Sequence, residues 1–469
     1  MTSKLSRTKW LLPAGVFTVV VAVQLWFVAA IGTDIPFQDQ WDYEGGWLYP
    51  GCLEGKIRLV DLFRPANEHR FVWSVLLNLG LFSANGQWDP LVQLVAIAVL
   101  RGACAAGVAW LIGSSLQGRG RLAVGVGVVF AFLPHLAWNT VLWGATSSDY
   151  FVLGFSVLTL GFLGSSDRSA ARTGAGLIAG VAALVSMAPG AFVPVSLLGL
   201  SLLRAVERRR LDAAWWREAW PALVLLAAAG ALRVEVPAHA VLQAATPGQF
   251  FDAFGRAMAW PHVGMPAAAL VLNLPLAIAV GRRCLHRRGP AAGEDFVLLL
   301  GGWSIVAAAA MGWARGGGDE FVAGVPSRYV DFLVLLPVAN AWCAVVLARE
   351  AAGARRRLAQ VVVGAWGVFL LIGWLGLSAQ VMRGLLLPRM RDRDITVRLA
   401  VAFQQTDDPA VFAGQPRLLV PHPNLESVRA VLHDPRMRRK LPPSFQPGQP
   451  MGPLSRAARV LLQRDGVSP

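Results

Sequence analysis

Residues 11–46 read LLPAGVFTVVVAVQLWFVAAIGTDIPFQDQWDYEGG. Up to Gly32 the stretch holds no charged side chain; beyond it, Asp34, Asp39, Asp42 and Glu44 follow in quick succession without a Lys or Arg between them. The apolar run extends back to Trp10, behind Lys4, Arg7 and Lys9. At 10–31 it exceeds the roughly 7–15 residues of a signal-peptide core and suits a hydrocarbon layer about 30 Å thick. It reads as an uncleaved first membrane helix that delivers a group of carboxylates to the far boundary.

The rest of the 469-residue chain supports that reading. It is 55% hydrophobic and 15% charged, and apolar runs near membrane length recur along it; soluble domains rarely combine these features. The formal charge of +15 comes from basic residues clustered between apolar runs, a pattern that fixes membrane orientation and makes nucleic acid an unneeded partner. Cys52, Cys104, Cys284 and Cys343 are scattered and form no CxxC pair, so neither a disulfide framework nor a zinc site is indicated. The expected fold is an all-α polytopic membrane protein.

Eleven spans are expected, near 10–31, 90–113, 122–139, 149–164, 173–187, 190–204, 218–233, 263–281, 295–313, 329–348 and 359–381. With the N-terminus cytoplasmic, the inner connections are SSLQGRGR, SSDRSAAR, RAVERRRLDAAWWR, GRRCLHRRG and REAAGARRR, all basic; the outer connections 140–148 and 188–189 hold no Lys or Arg. This places two long polar segments outside. One is the first outer loop, 32–89, whose stretch Phe71–Phe82 is too short to span and reads as an interfacial helix. The other is the tail, 382–469, expected to be a small extracytoplasmic domain after a transmembrane domain of 1–381, with helices at NLESVRAVLH and LSRAARVLLQR.

The first outer loop joins two opposite chemistries. Asp34, Asp39 and Asp42 come first; NEHR, 67–70, opens the interfacial helix, where backbone N–H groups favour anions and His69 and Arg70 add donors. Such a loop suits a reaction on a lipid-borne phosphate, with a carboxylate as general base and cations on the leaving group. QDQWDYEGG and ANEHRFVWSVLLNLGLF, placed after a first helix, resemble the corresponding parts of the GT-C superfamily of membrane glycosyltransferases, protein O-mannosyltransferases and aminoarabinose transferases among them. VPSRYVDFLVLLPVANAW, 325–342, resembles the Arg-Tyr opening of a late span in those enzymes.

The resemblance implies a polyprenyl-phosphate-linked sugar donor, membrane lipids as surroundings, an envelope acceptor of unknown identity, and a bacterial plasma (inner) membrane as the location. It makes Asp39, with Asp42 behind it, the catalytic acid residue, and Asp34, His69, Arg70, Arg328 and Tyr329 the substrate-binding set. Where the family often has His-Pro-Pro, this chain has His69-Arg70-Phe71. The scheme calls for no cofactor and no metal. Two other readings stay open: a non-catalytic lipid-handling or envelope-assembly protein, and a polysaccharide polymerase or ligase.

Several residues carry plainer expectations. Asp34 could be solvated at the boundary, and Glu44 is expected to face solvent. Asp149 opens a span after WGATSS and could line an outer cavity; His262 is a boundary residue; Asp319 and Glu320 form an acidic step in a Gly-rich loop. Arg101 is the main charge inside a span, and the scarcity of such charges argues against an ion-coupled carrier.

Overall fold

The computed structural model describes residues 2–166, 168–286, 289–318 and 324–463. Asp319 and Glu320 lie outside them. Among the described residues the chain is helical apart from one two-stranded hairpin. Seven helices are long and apolar enough to cross a membrane. They are α1 (Thr2–Ile31, apolar from Trp10), α3 (Pro90–Gly113), α5 (Gly144–Leu163), α7 (Ala188–Arg208), α9 (Glu294–Arg315), α10 (Ser327–Glu350) and α11 (Gly353–Thr406). Between them lie α2 (Val72–Asn85), α4 (Gly118–Ala131), α6 (Ala170–Leu184) and α8 (Ala213–Leu232). The tail adds α12 (Leu425–His433) and α13 (Pro453–Leu461). The expected interfacial helix is therefore present as α2, beginning one residue later and ending three residues later than its apolar run suggested.

Local sequence sets the helix ends. Asp89 caps α3 by accepting from the Leu91 N–H at 2.9 Å, with Pro90 in the first turn. Gly86 ends α2 at φ 70°, a left-handed position that suits glycine. Close packing of α1 on α3 depends on Gly102, where an added Cβ would lie 2.4 Å from a Val21 methyl.

Two expected spans are interrupted. The one at 122–139 stops being helical at Ala131, since Pro134 disfavours helix in the residue before it. Arg101 supplies the missing donors there, giving Nε to the Phe132 carbonyl at 2.9 Å. The one at 263–281 is turns, then Ala268–Leu272, then Leu274–His286. Pro275 breaks the ladder, and Asn340 Oδ1 accepts from the Leu276 N–H at 3.0 Å.

The five basic connections meet at one end of the bundle. Arg349 donates to the Gln117 carbonyl at 2.6 Å and Arg168 to the Arg217 carbonyl at 2.9 Å. Arg282 pairs with Glu350, Arg204 with Glu218, and buried Arg283 with Glu207 and Asp295. The polar segments meet at the other end, where they fold together rather than separately. Ile35, Trp41, Tyr49, Val75 and Trp88 of the loop share one core with Phe403, Val428, Met437 and Phe445 of the tail. Arg459 clamps the two, reaching Asp34 at 3.0 Å and Asp89 at 2.6 Å. Loop and tail thus form a single cap, with α11 running into it through a π-helical turn, Met382–Leu386.

Candidate functional site

The cap turns the first carboxylates in different directions. Asp34 is buried beneath the tail: besides Arg459, it accepts from the Ser444 N–H at 2.9 Å and the Ser444 hydroxyl at 2.7 Å. These contacts give it a structural role in joining tail to loop, in place of either solvent or substrate. Glu44 corrects the expectation of solvent exposure more sharply, being 1% exposed. Its carboxylate accepts from Gln93 Nε2 (2.8 Å), Asn78 Nδ2 (3.0 Å), Trp88 Nε1 (3.0 Å), Gln40 Nε2 (3.2 Å) and Tyr49 Oη (3.2 Å). Burial pushes its pKa up and those donors pull it back, leaving it raised. Glu44 is the polar pin of a π-helix, Trp41–Leu48, a helix form often found at functional sites.

Asp39 sits in the turn just before that helix. Gln38 holds φ 53°, in the left-handed region, and donates its N–H to the Pro421 carbonyl at 2.7 Å. Trp41 Nε1 donates to the Pro36 carbonyl at 2.8 Å, fixing the turn from the other side. Asp39 is exposed, and nearby segments strip part of the water from its carboxylate. That loss of water raises its pKa; His422 pulls it down, Asp42 pushes it up, and Arg328 pulls it down again, with a net rise. Arg328 therefore lies within electrostatic reach of Asp39, although the two are far apart in sequence. Asp42, exposed one turn on, pairs with His422 Nε2 at 3.2 Å.

His422 comes from the tail and is buried there, its Nδ1 2.8 Å from the Asn424 carbonyl oxygen. The sequence reading gave it no role. Its only local signal is its place between prolines in VPHPN, 420–424, and nothing near it in sequence points to the loop.

Arg328 opens α10, with its guanidinium carbon 4.8 Å from the Tyr329 ring centroid. Behind it, Asp331 on the next turn pairs with Arg101 at 2.8 Å and accepts from the Tyr150 hydroxyl at 2.8 Å. Arg101 is thus the fixed point against which the start of α10 is set. Asp149, buried at the head of α5, lies within the electrostatic reach of Arg328, Asp331 and Arg101. That puts it near the same guanidinium that Asp39 feels.

NEHR forms the turn and second strand of the hairpin, with Ala66 opposite His69 and Asn67 at φ 49°. Glu68, at its tip, pairs with Arg315 and, at 2.9 Å, with His239. Arg315 Nε in turn donates to Tyr329 Oη at 3.2 Å. The hairpin is so joined to Tyr329 beside Arg328. His69 Nδ1 accepts from the Ala188 N–H at 3.4 Å, and burial pushes its pKa down to about 4, so the ring is neutral. Arg70 is directed elsewhere, donating to the Leu232 carbonyl at the end of α8. The first N–H of α2, expected to favour an anion, is taken by the Val185 carbonyl at 3.1 Å.

The structure thus gathers Asp39, Asp42, Arg328 and Tyr329, adds His422 and Asp149, and leaves Asp34 and Arg70 in structural contacts. No protein-family model and no curated protein matches the chain.

Proposed function

We propose that the protein is a multi-pass membrane glycosyltransferase that moves a sugar from a polyprenyl phosphate to an envelope acceptor at the outer face of the plasma membrane. The observation that supports this reading is that Arg328 lies within electrostatic reach of Asp39. In this reading Asp39 is the base and Arg328 the phosphate-binding cation, working at the end of the bundle away from the basic connections. The segregation of those connections supports eleven passes with the N-terminus inside.

In the reaction, the acceptor hydroxyl gives its proton to the Asp39 carboxylate while its oxygen bonds to the anomeric carbon. The bond from that carbon to the phosphate oxygen breaks, and the polyprenyl phosphate leaves with the electron pair. Attack from the face opposite the leaving group inverts the anomeric centre. Arg328 stabilises the negative charge that grows on the phosphate. Asp42 and His422 hold the charge balance around the base.

Asp39→Asn is expected to lower transfer from lipid-linked sugar about 10²–10⁴-fold, the usual contribution of a general base, with unchanged membrane expression. Arg328→Ala is expected to lower transfer and weaken donor binding. The assay is transfer by purified protein supplied with lipid-linked sugars extracted from the producing cells. Full activity in both Asp39→Asn and Asp42→Asn removes this mechanism; loss of lipid binding in Arg328→Ala alone then favours a lipid-handling protein.

A further inference from the structure

The face of α11 that points away from the bundle changes character near the cap. Ile372 and Leu375 are 60% and 52% exposed, and Ala379 follows on the same stripe. Four residues on comes Arg383, then Leu387, Arg391 and Arg398, all exposed. We infer that this arginine stripe is a binding site for anionic phospholipid headgroups. It requires that α11 crosses a membrane, and it is independent of the sugar transfer proposed above.

Packing sets the level of the stripe. Leu386 is buried in the core of the bundle, and Leu385 and Met390 pack against that core, whereas Ala400 and Phe403 belong to the core of the cap. The segment between them therefore lies where bundle gives way to cap. Two contacts near the end of α1 show its direction. Ser378 Oγ lies 2.7 Å from Nε2 of His135, whose ring stacks on Phe27, and Arg393 donates to the Ala29 carbonyl at 3.1 Å. The helix between Ser378 and Arg393 would climb about 22 Å if it ran along the membrane normal. Its two anchors instead meet neighbouring turns of α1, so the segment leans across the boundary. The π-turn Met382–Leu386 adjusts the register. In an unbroken α-helix Arg383 would stand about 80° round from Arg391; the wider i→i+5 turn takes out much of that angle.

Charge chooses the headgroup. Arg383, Arg391 and Arg398 have no hydrogen bond or ion pair among the described residues. The nearby carboxylates are already engaged: Asp394 pairs with Arg393 at 2.8 Å, and Asp392 is half-buried within electrostatic reach of Arg389. The stripe thus keeps its positive charge. Guanidinium groups bind phosphate oxygens bidentately. Leu387, 41% exposed between two of the arginines, gains nothing from a soluble polyanion. A phospholipid meets both needs, with its phosphate on the arginines and its upper acyl chain on Leu387 and the apolar stripe below.

The test places a bimane label at Leu387→Cys in the full-length protein. Cys52→Ser and Cys284→Ser leave only the buried Cys104 and Cys343 beside it. In phosphatidylcholine nanodiscs, doxyl-labelled phosphatidylglycerol and doxyl-labelled phosphatidylcholine are compared as quenchers. Phosphatidylglycerol is expected to reach equal quenching at about fivefold lower mole fraction, the worth of one arginine near an anionic surface. Arg383→Gln, Arg391→Gln and Arg398→Gln together should bring the two lipids to parity, and Arg391→Gln alone should go part of the way. The same three positions changed to Lys should keep the preference, as should Arg355→Gln, Arg356→Gln and Arg357→Gln at the other end of the helix. Equal quenching in the parent protein, or a preference that survives the triple Gln change, overturns the site. So does loss of the preference in the triple Lys change, which would assign it to helix packing, or in the Arg355–Arg357 change, which would make it a property of the whole surface. Relief by inorganic phosphate would make the stripe a site for free anions and would also overturn it.

Discussion

Under the proposed transfer Asp39 is the base, and its neighbours make opposite predictions about it. A base with a raised pKa works only above that value, so transfer should rise with pH along an acid limb set by Asp39. His422 pulls the Asp39 pKa down and Asp42 pushes it up. His422→Gln should therefore move the acid limb of kcat to higher pH, and Asp42→Asn should move it to lower pH. A pH–rate series on the two variants checks the signs; shifts in the same direction would mean that another group sets the limb. The place of Asp39 just beyond the first span was legible in the sequence. The position of His422 beside it was not, because it depends on the Gln38–Pro421 backbone contact between loop and tail, which leaves no periodic or spacing signal in either segment.

The element that supports Asp39 is the π-helix Trp41–Leu48, and Glu44 shows how it is held. Sequence alone makes Glu44 one more loop carboxylate. The structure turns it inward because Asn78 of α2 and Gln93 of α3, both on apolar helices, need a common acceptor. Glu44→Ala would leave several buried donors unpaired, at roughly 1–3 kcal/mol for each that finds no water. The variant should melt well below the wild type and lose transfer with it, as followed by thermal scanning in detergent. Glu44→Gln keeps the shape and one acceptor oxygen, and should be the milder of the two. The same rule, that freed backbone must be satisfied inside a membrane, explains how the stretches 122–139 and 263–281 accommodate their interruptions. Hydropathy reads those stretches as apolar, whereas Pro134 and Pro275 interrupt them and Arg101 and Asn340 complete them.

At the scale of the molecule, the alternation of basic and uncharged connections was legible because charge decides which loops share an end, and ion pairs join the basic ones in the fold. The docking of the tail on the loop was not, since its links are single long-range contacts such as Arg459 with Asp34 and Asp89. Arg459→Ala would leave two buried carboxylates without their cation, a loss of roughly 3–5 kcal/mol; limited proteolysis should then cleave the tail while the bundle stays intact. Which end faces outward can be read from the native cysteines. Cys104 and Cys343 are buried, whereas Cys52 is partly open in the cap and Cys284 is exposed on Leu274–His286, beside the basic connections. A membrane-impermeant maleimide should therefore label Cys52 in intact cells and reach Cys284 only after permeabilisation, with Cys52→Ser and Cys284→Ser assigning the two signals. The reverse pattern would put Asp39 and Arg328 in the cytosol. A base and a cation there would face nucleotide-linked donors rather than a sugar already carried across on lipid, so the same residues would require a different reaction.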